Sequence, residues 1–119
     1  MDEKYLNQLK ALMGKKVHVF VDRPLGSTHP KHASIIYKVN YGYIKELVAP
    51  DNEYQDVYIL GIGEPLDEYE GIIIAIIKRL NDNECKLVVA PVGKAYREEE
   101  IREKVAFQEQ YFKIEIILK

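Results

Sequence analysis

The sequence lacks the residues that would define several common protein classes. Its 119 residues include no tryptophan and a single cysteine, Cys85, so an intrachain disulfide is impossible and no CxxC metal motif exists. The longest apolar run, residues 72–77, is far shorter than the roughly 20 residues that a membrane-spanning helix needs. The amino terminus opens with acidic residues and has no apolar core typical of a signal peptide. We therefore expect a cytoplasmic protein that does not enter a membrane.

An excess of positive charge is also missing. The formal net charge is -2 and the sequence pI is near 5.9, with lysines scattered among acidic residues. Binding to nucleic acid through phosphate neutralisation requires a basic patch or stripe, so we expect no nucleic-acid partner. The length fits one domain over residues 1–119, with one hydrophobic core.

Hydrophobic periodicity predicts short strands between two helices. Helical spacing of apolar residues covers residues 2–13, and a second helical pattern begins at Arg97 behind a run of glutamates. Strands are expected in "KKVHVFV", "SIIYKV", "DVYILGI", "IIIAIIKRL" and "CKLVVAP", with "LVAPDNEYQ" as a loop, while "KIEIILK" fits either a strand or an extension of the second helix. Because helices do not alternate with strands, a doubly wound parallel fold is disfavoured. We predict a mainly β, α+β architecture: a small β-barrel or sheet with an N-terminal and a C-terminal helix packed against it.

Motifs of the common enzyme classes are missing too. The chain contains no GK[ST] phosphate loop, no HExxH and no GxSxG, and "DNEYQDVYILGI" lacks the glycine and the final glutamate of an EF-hand. What remains is a set of acidic clusters. Asp51, Glu53 and Asp56 precede an apolar strand, and Asp82 and Glu84 occupy a later turn. Converging carboxylates bind hard cations such as Mg²⁺, although an isolated acidic turn is usually only solvated.

The first acidic cluster has an informative neighbour. The segment "NYGYI" is followed, after a short loop, by "DNEYQD", and this arrangement resembles the NYGY segment and D-G-D-P-x-D motif of the soluble family I inorganic pyrophosphatases. Further blocks, "VDRPLGSTHPKHASIIYKV", "NDNECKLVVAP" and "FQEQYF", are similar to segments of the same family, so the resemblance covers roughly residues 17–112. A second acidic stretch, "EPLD", mimics half of the motif but lies too far from "NYGYI" to match.

The resemblance implies a closed, OB-like β-barrel that hydrolyses pyrophosphate with Mg²⁺ and forms homo-oligomers. It also implies a role for each matching residue. Glu53 takes the position of the general base, with Asp56 beside it. The implied metal ligands are Asp51, Asp56, Asp82 and Glu84. The implied substrate-binding residues are Lys31, Tyr41, Lys86, Tyr111 and Arg23.

The sequence departs from the family pattern at several of these positions. Asn52 and Tyr54 replace the glycine and proline of the motif, Glu53 replaces its middle aspartate, and Phe112 stands where the family has a lysine. A second hypothesis therefore stays open, in which the chain binds phosphate or a phosphorylated metabolite, or acts as an interaction module, without catalysis. A third hypothesis is an oligonucleotide-binding module, which the negative net charge of the chain disfavours.

Overall fold

The computed structural model describes residues 2–119 and contains two helices and six strands. In chain order these are α1 (Glu3–Ala11), β1 (Lys16–Arg23), β2 (Asn40–Val48), β3 (Tyr54–Ile59), β4 (Glu68–Arg79), β5 (Cys85–Ala90), α2 (Glu98–Glu109) and β6 (Ile114–Leu118). The ambiguous segment "KIEIILK" is therefore a strand and not a continuation of α2.

Five of the strands close into a barrel. The hydrogen-bonded order is β1-β2-β3-β5-β4, and β4 returns to β1 to complete the ring. Strands β3 and β5 run parallel, and the other neighbours in the ring are antiparallel. The long strand β4 shares one edge between two partners, β1 along its first half and β6 along its second. The prediction of a small closed barrel with two helices is confirmed, and the architecture is OB-like.

Alternation along the strands divides the apolar residues into two cores. Val57 and Ile59 of β3 point into the barrel, where α1 contributes Leu6 and Leu9. Tyr58, between those two, faces outward into a second core under α2. Because side chains alternate, the neighbouring odd and even positions of β3 serve different faces. Asp56 thus shares the outer face with Tyr58, and this alternation directs its carboxylate away from the interior of the barrel.

One predicted strand is wrong. The segment "SIIYKV" forms no strand within the described chain, and Ile36 makes a single isolated bridge to Thr28. Three of its side chains nevertheless pack in the interior, since Ile35, Tyr37 and Val39 are buried. The β propensity of these residues is satisfied by packing and not by a ladder of strand hydrogen bonds. The predicted loop "LVAPDNEYQ" is shorter than expected because β2 continues to Val48 and β3 starts at Tyr54.

Candidate functional site

An acidic cavity lies where the β2–β3 loop meets the β4–β5 turn. Its volume is about 380 Å³, and its lining includes four carboxylates against a single ammonium, that of Lys86. The carboxylates belong to Asp51, Asp56, Asp82 and Glu84. The parallel pairing of β3 with β5 brings the two segments together, since Val57 lies opposite Leu87. All four residues predicted as metal ligands therefore line one cavity.

A second cavity, of about 550 Å³, adjoins the first and has the opposite charge. Three permanently cationic side chains line it, those of Arg23, Arg79 and Lys86, against one carboxylate, Asp56. The other polar lining comes from His29, His32, Ser34, Tyr41, Gln108 and Tyr111. We call this the anion cavity. Four of the five predicted substrate-binding residues line it, namely Arg23, Tyr41, Lys86 and Tyr111.

Asp56 and Lys86 line both cavities and are joined by an ion pair. The Lys86 Nζ lies 2.6 Å from Asp56 Oδ2 and 3.4 Å from Glu84 Oε2. Burial of Lys86 disfavours its charge, but its interactions with Tyr41 and the Asp56 carboxylate outweigh that cost and raise its pKa above the ordinary lysine value. Lys86 is therefore a permanent cation at the boundary between the cavities.

Arg79 forms the second buried cationic centre. Its Nε and Nη2 donate to the two Glu109 carboxylate oxygens at 2.8 and 2.6 Å, and its Nη1 donates to Asp82 at 3.1 Å and to Glu84 at 3.0 Å. The guanidinium carbon lies 3.7 Å from the centre of the Phe112 ring. Burial opposes the charge of Arg79, yet the hydrogen bond to Glu109 helps to raise its pKa. One arginine therefore donates hydrogen bonds to three carboxylates.

The wall of the anion cavity behind Tyr41 is a connected network of buried hydroxyl and amide groups. Tyr37 Oη donates to Gln108 Oε1 at 2.6 Å, Gln108 Nε2 donates to Tyr58 Oη at 2.7 Å, and Tyr58 Oη donates to Glu109 Oε2 at 2.6 Å. Because each buried polar group has a partner, the network fixes α2 against the barrel without an unsatisfied atom along this path. Burial raises the pKa of Tyr41, so its hydroxyl is a neutral donor toward the cavity.

Two predicted site residues stand apart from both cavities. Glu53 and Lys31 are exposed, and neither contributes to the lining of the acidic or the anion cavity. The backbone N–H of Glu53 donates to Asp51 Oδ1 at 3.0 Å, which closes the β2–β3 loop locally. Asn52 in the same loop has φ 72°, a left-handed conformation that glycine and asparagine tolerate best. Asparagine tolerates this backbone conformation better than most other residues do.

The candidate site also contains residues that no sequence motif indicates. Arg79 and Glu109 are brought together by β4 and α2 from positions 30 residues apart, and Gln108 lines the anion cavity together with Arg79. The cationic loop that carries His29 and His32 is visible in the sequence, but its approach to Asp56 depends on the fold. A signal for Arg79 does exist: it ends β4, the strand with the longest apolar run of the chain, and only Leu80 separates it from the acidic turn "NDNE".

The acidic cavity offers the oxygen ligands that Mg²⁺ prefers. Three of its four carboxylates already have cationic partners, however, since Lys86 pairs with Asp56 and Arg79 pairs with Asp82 and Glu84. Within residues 2–119, no three His, Cys, Asp or Glu side chains are positioned to share one metal ion. The chemistry of the donors fits Mg²⁺, and any ion bound there competes with these two cations.

The fold places the chain in a recognisable structural class. Its closed barrel, with the extra strand and two helices, is the OB-like fold of inorganic pyrophosphatases. No protein-family model and no curated protein matches the sequence.

The chain is similar in structure to solved inorganic pyrophosphatases. The inorganic pyrophosphatase from Ehrlichia chaffeensis superposes with a TM-score of 0.66 at 16% identity, covering 87% of this chain and 85% of that one. The enzyme from Neisseria gonorrhoeae gives a TM-score of 0.63 at 23% identity over 82% and 74% of the two chains. The enzyme from Thermus thermophilus gives 0.57 at 15% identity over 86% and 80%. At these identities the likeness establishes the fold.

Neither described helix is long and apolar enough to cross a membrane. Cytoplasmic location and self-association remain predictions.

Proposed function

We propose that this chain hydrolyses inorganic pyrophosphate to two phosphates in a Mg²⁺-dependent reaction. One observation carries the proposal: a cavity lined by cations adjoins a cavity lined by carboxylates, and the Asp56–Lys86 pair forms their boundary. A pyrophosphate group placed in the anion cavity would meet positive charge along its length. Its reacting phosphorus would face the acidic side of the site.

Arg23, Arg79 and Lys86 are the groups of this chain that bind the substrate. Each is cationic, and together they offset the charge of pyrophosphate and stabilise the phosphate that leaves. Tyr41, neutral and nearly buried, orients the substrate as a hydrogen-bond donor. Tyr111 also lines the cavity and is far more exposed than Tyr41.

The hydrolytic step needs a water molecule near Asp56. The water oxygen forms a bond to one phosphorus while the bridging P–O bond breaks, and the bridging oxygen leaves on the second phosphate. Asp56 accepts a proton from the water and returns it to a product phosphate, so the enzyme is unchanged. Asp56 is better placed for this role than Glu53, because Asp56 lines both cavities and Glu53 lines neither.

The residues that would hold Mg²⁺ are Asp51, Asp56, Asp82 and Glu84. Magnesium, when bound, supplies positive charge against the substrate oxygens and acts as a Lewis acid. The ion pair with Lys86, 2.6 Å between Nζ and Oδ2, fixes the direction in which the Asp56 carboxylate points. Homo-oligomer formation and a cytoplasmic site of action belong to the same proposal and rest on the resemblance of the sequence.

A second candidate function is binding of phosphate or a phosphorylated metabolite without turnover. It is favoured by the ion pairs that already engage Asp56, Asp82 and Glu84. It is also favoured by Phe112, which covers one face of the Arg79 guanidinium where the resembling motif has a lysine. This alternative predicts a measurable affinity for the anion with no release of product.

Phosphate release from pyrophosphate, with and without Mg²⁺, separates the two candidates. We expect Mg²⁺-dependent turnover that Asp56→Asn lowers about 100-fold or more, the range for loss of a positioned acid or base. The control is Asp67→Asn, an exposed aspartate of the "EPLD" stretch that lines neither cavity. Equal rates in Asp56→Asn and Asp67→Asn would refute the assignment of Asp56. Binding of pyrophosphate without turnover at any Mg²⁺ concentration would establish the second candidate.

A further inference from the structure

Arg79 is buried together with one of its three carboxylate partners, Glu109. Its side chain is only 6% exposed, and Glu109 is 1% exposed, so this pair is held away from water. Asp82 and Glu84 are partly exposed, at 33% and 40%, and approach the same guanidinium from the side of the acidic cavity. Three carboxylates on one fixed monovalent cation form a group that retains negative charge.

The donors of the guanidinium are nearly all used. An arginine has five N–H donors, and four of those on Arg79 are directed to carboxylate oxygens at 2.6–3.1 Å. One face of its plane rests on the Phe112 ring. The remaining Nη2 donor belongs to a side chain that lines the anion cavity. Arg79 is thus bound by carboxylates on one side and next to the anion cavity on the other.

Arg79 therefore lies between a group of carboxylates and a cavity lined by cations, where an anion would bind. We propose that Arg79 is a resident cation of the site, which holds Asp82, Glu84 and Glu109 when no divalent metal is bound, competes with such a metal for Asp82 and Glu84, and lets the anion cavity bind pyrophosphate without divalent metal. The part concerning pyrophosphate rests on the proposed function. The part concerning the carboxylates does not, because it is a statement about metal binding by the protein alone.

Two consequences separate this role from a purely structural ion pair. A structural Arg79–Glu109 pair would contribute to stability and leave the binding of ions to the rest of the site unchanged. A resident cation, by contrast, competes with divalent metal for Asp82 and Glu84. Its removal should therefore strengthen metal binding and weaken metal-free binding of the anion.

The main variant is Arg79→Met with Glu109→Gln, which removes the buried cation together with its most buried carboxylate and so leaves no unpaired buried charge. The matched control is Arg102→Met, which removes an exposed arginine paired with Glu98 on α2. Mn²⁺ is titrated by electron paramagnetic resonance without pyrophosphate, and pyrophosphate is titrated by calorimetry in EDTA. We expect the double variant to bind Mn²⁺ at least tenfold more tightly than wild type and to lose at least tenfold in metal-free affinity for pyrophosphate. The control should match wild type in both.

Outcomes that overturn the inference are distinct from those that overturn the proposed function. Unchanged Mn²⁺ binding in the double variant, or wild-type protein that binds pyrophosphate with Mg²⁺ but not in EDTA, refutes the resident cation and leaves the proposed function standing. Absence of pyrophosphate binding under both conditions refutes the proposed function, while the Mn²⁺ titration still decides the role of Arg79.

A second variant covers the case in which the double variant does not fold. Asp82→Asn with Glu84→Gln changes two partly exposed side chains and releases Arg79 Nη1 from both carboxylates. Metal-free affinity for pyrophosphate should then rise threefold or more. Asp51→Asn, which also removes a carboxylate from the acidic cavity but does not contact Arg79, should change it less. A rise of equal size in Asp51→Asn, or no rise in the Asp82/Glu84 variant, contradicts the inference.

Discussion

The Asp56–Lys86 pair predicts an asymmetry in stability between its two halves. The lysine side chain is 6% exposed and the aspartate is 40% exposed, so the two charges differ greatly in their access to water. Asp56→Asn removes the partner and leaves the ammonium buried. Lys86→Met removes the buried charge itself and leaves a carboxylate that water can solvate. The aspartate substitution should therefore destabilise the fold more than the lysine substitution.

The expected magnitudes follow from burial. Removing one partner of a fully buried pair costs about 3–5 kcal/mol, but Glu84 stays 3.4 Å from Lys86 and retains part of the attraction. We expect Asp56→Asn to lower the free energy of unfolding by about 1–3 kcal/mol. Lys86→Met should cost about 0–1 kcal/mol, because apolar replacement of a buried charge is often neutral and the exposed carboxylate is solvated.

Urea unfolding of the two variants and of wild type measures both values, and thermal unfolding checks their order. For a domain of this size, 1 kcal/mol corresponds to a shift in Tm of about 4 °C. A larger loss of stability in Lys86→Met than in Asp56→Asn would refute the reasoning, because it would mean that the lysine is solvated or that its contact with Asp56 is not the dominant one. The same measurement separates loss of activity in Asp56→Asn from loss of folded protein.

Two further predictions concern the barrel. A Cβ at Gly42 would lie 1.9 Å from the Phe20 carbonyl oxygen, so Gly42→Ala should lower the free energy of unfolding by about 3 kcal/mol or more. A Cβ at Gly63 meets nothing within 4 Å, so the control Gly63→Ala should change the free energy of unfolding by less than about 0.5 kcal/mol. Comparable values for the two variants in urea unfolding would contradict this packing. The hydrogen bond that the protonated His18 Nε2 donates to the Glu68 carboxylate raises the pKa of His18 above 6.5. The charged imidazole therefore contributes stability below pH 6.5, and that contribution is lost as pH rises through the folded-state pKa. NMR titration should show the pKa returning toward 6.5 in Glu68→Gln, and an unshifted His18 in wild type would count against the pair.

Much of the fold is predictable from the sequence because local patterns agree with it. The alternating apolar residues of β1 and the apolar run of β4 specify strands, and the helical spacing of apolar residues over 2–13 agrees with α1. The first helix ends at Ala11 with Leu12 as its C-cap, and Gly14, which its position suggests as the cap, follows two residues later with φ 85°. The failure at "SIIYKV" has a physical cause. Strand propensity reports how well side chains pack on a pleated surface, whereas a strand also needs a neighbouring edge with which to pair. Here the residues bury their side chains under α2 without such an edge.

The residues of the acidic cavity are marked in the sequence, but its charge balance is not. The resemblance and spacing of "NYGYI", "DNEYQD" and "NDNECK" single out Asp51, Asp56, Asp82 and Glu84, and these four line one cavity. Their role as metal ligands stays a prediction. Nothing in that spacing indicates which cations would lie among them. Arg79 meets Glu109 only because β4 and α2 pack together, and such long-range pairing leaves no local pattern. Glu53 and Lys31 were assigned by position in a motif, and the backbone of each loop directs them elsewhere.

The charge balance decides what the acidic cavity can do. A divalent ion that binds there must draw Asp56 away from Lys86, or Asp82 and Glu84 away from Arg79, since these pairs are already formed. Asp51 lies at the cavity without an ion pair among the described residues, so it offers the least opposed ligand. An arriving pyrophosphate would help the exchange, because its oxygens give Lys86 and Arg79 new partners while they release carboxylates. Metal and substrate should therefore bind with positive coupling, and by linkage each must raise the affinity of the other by the same factor.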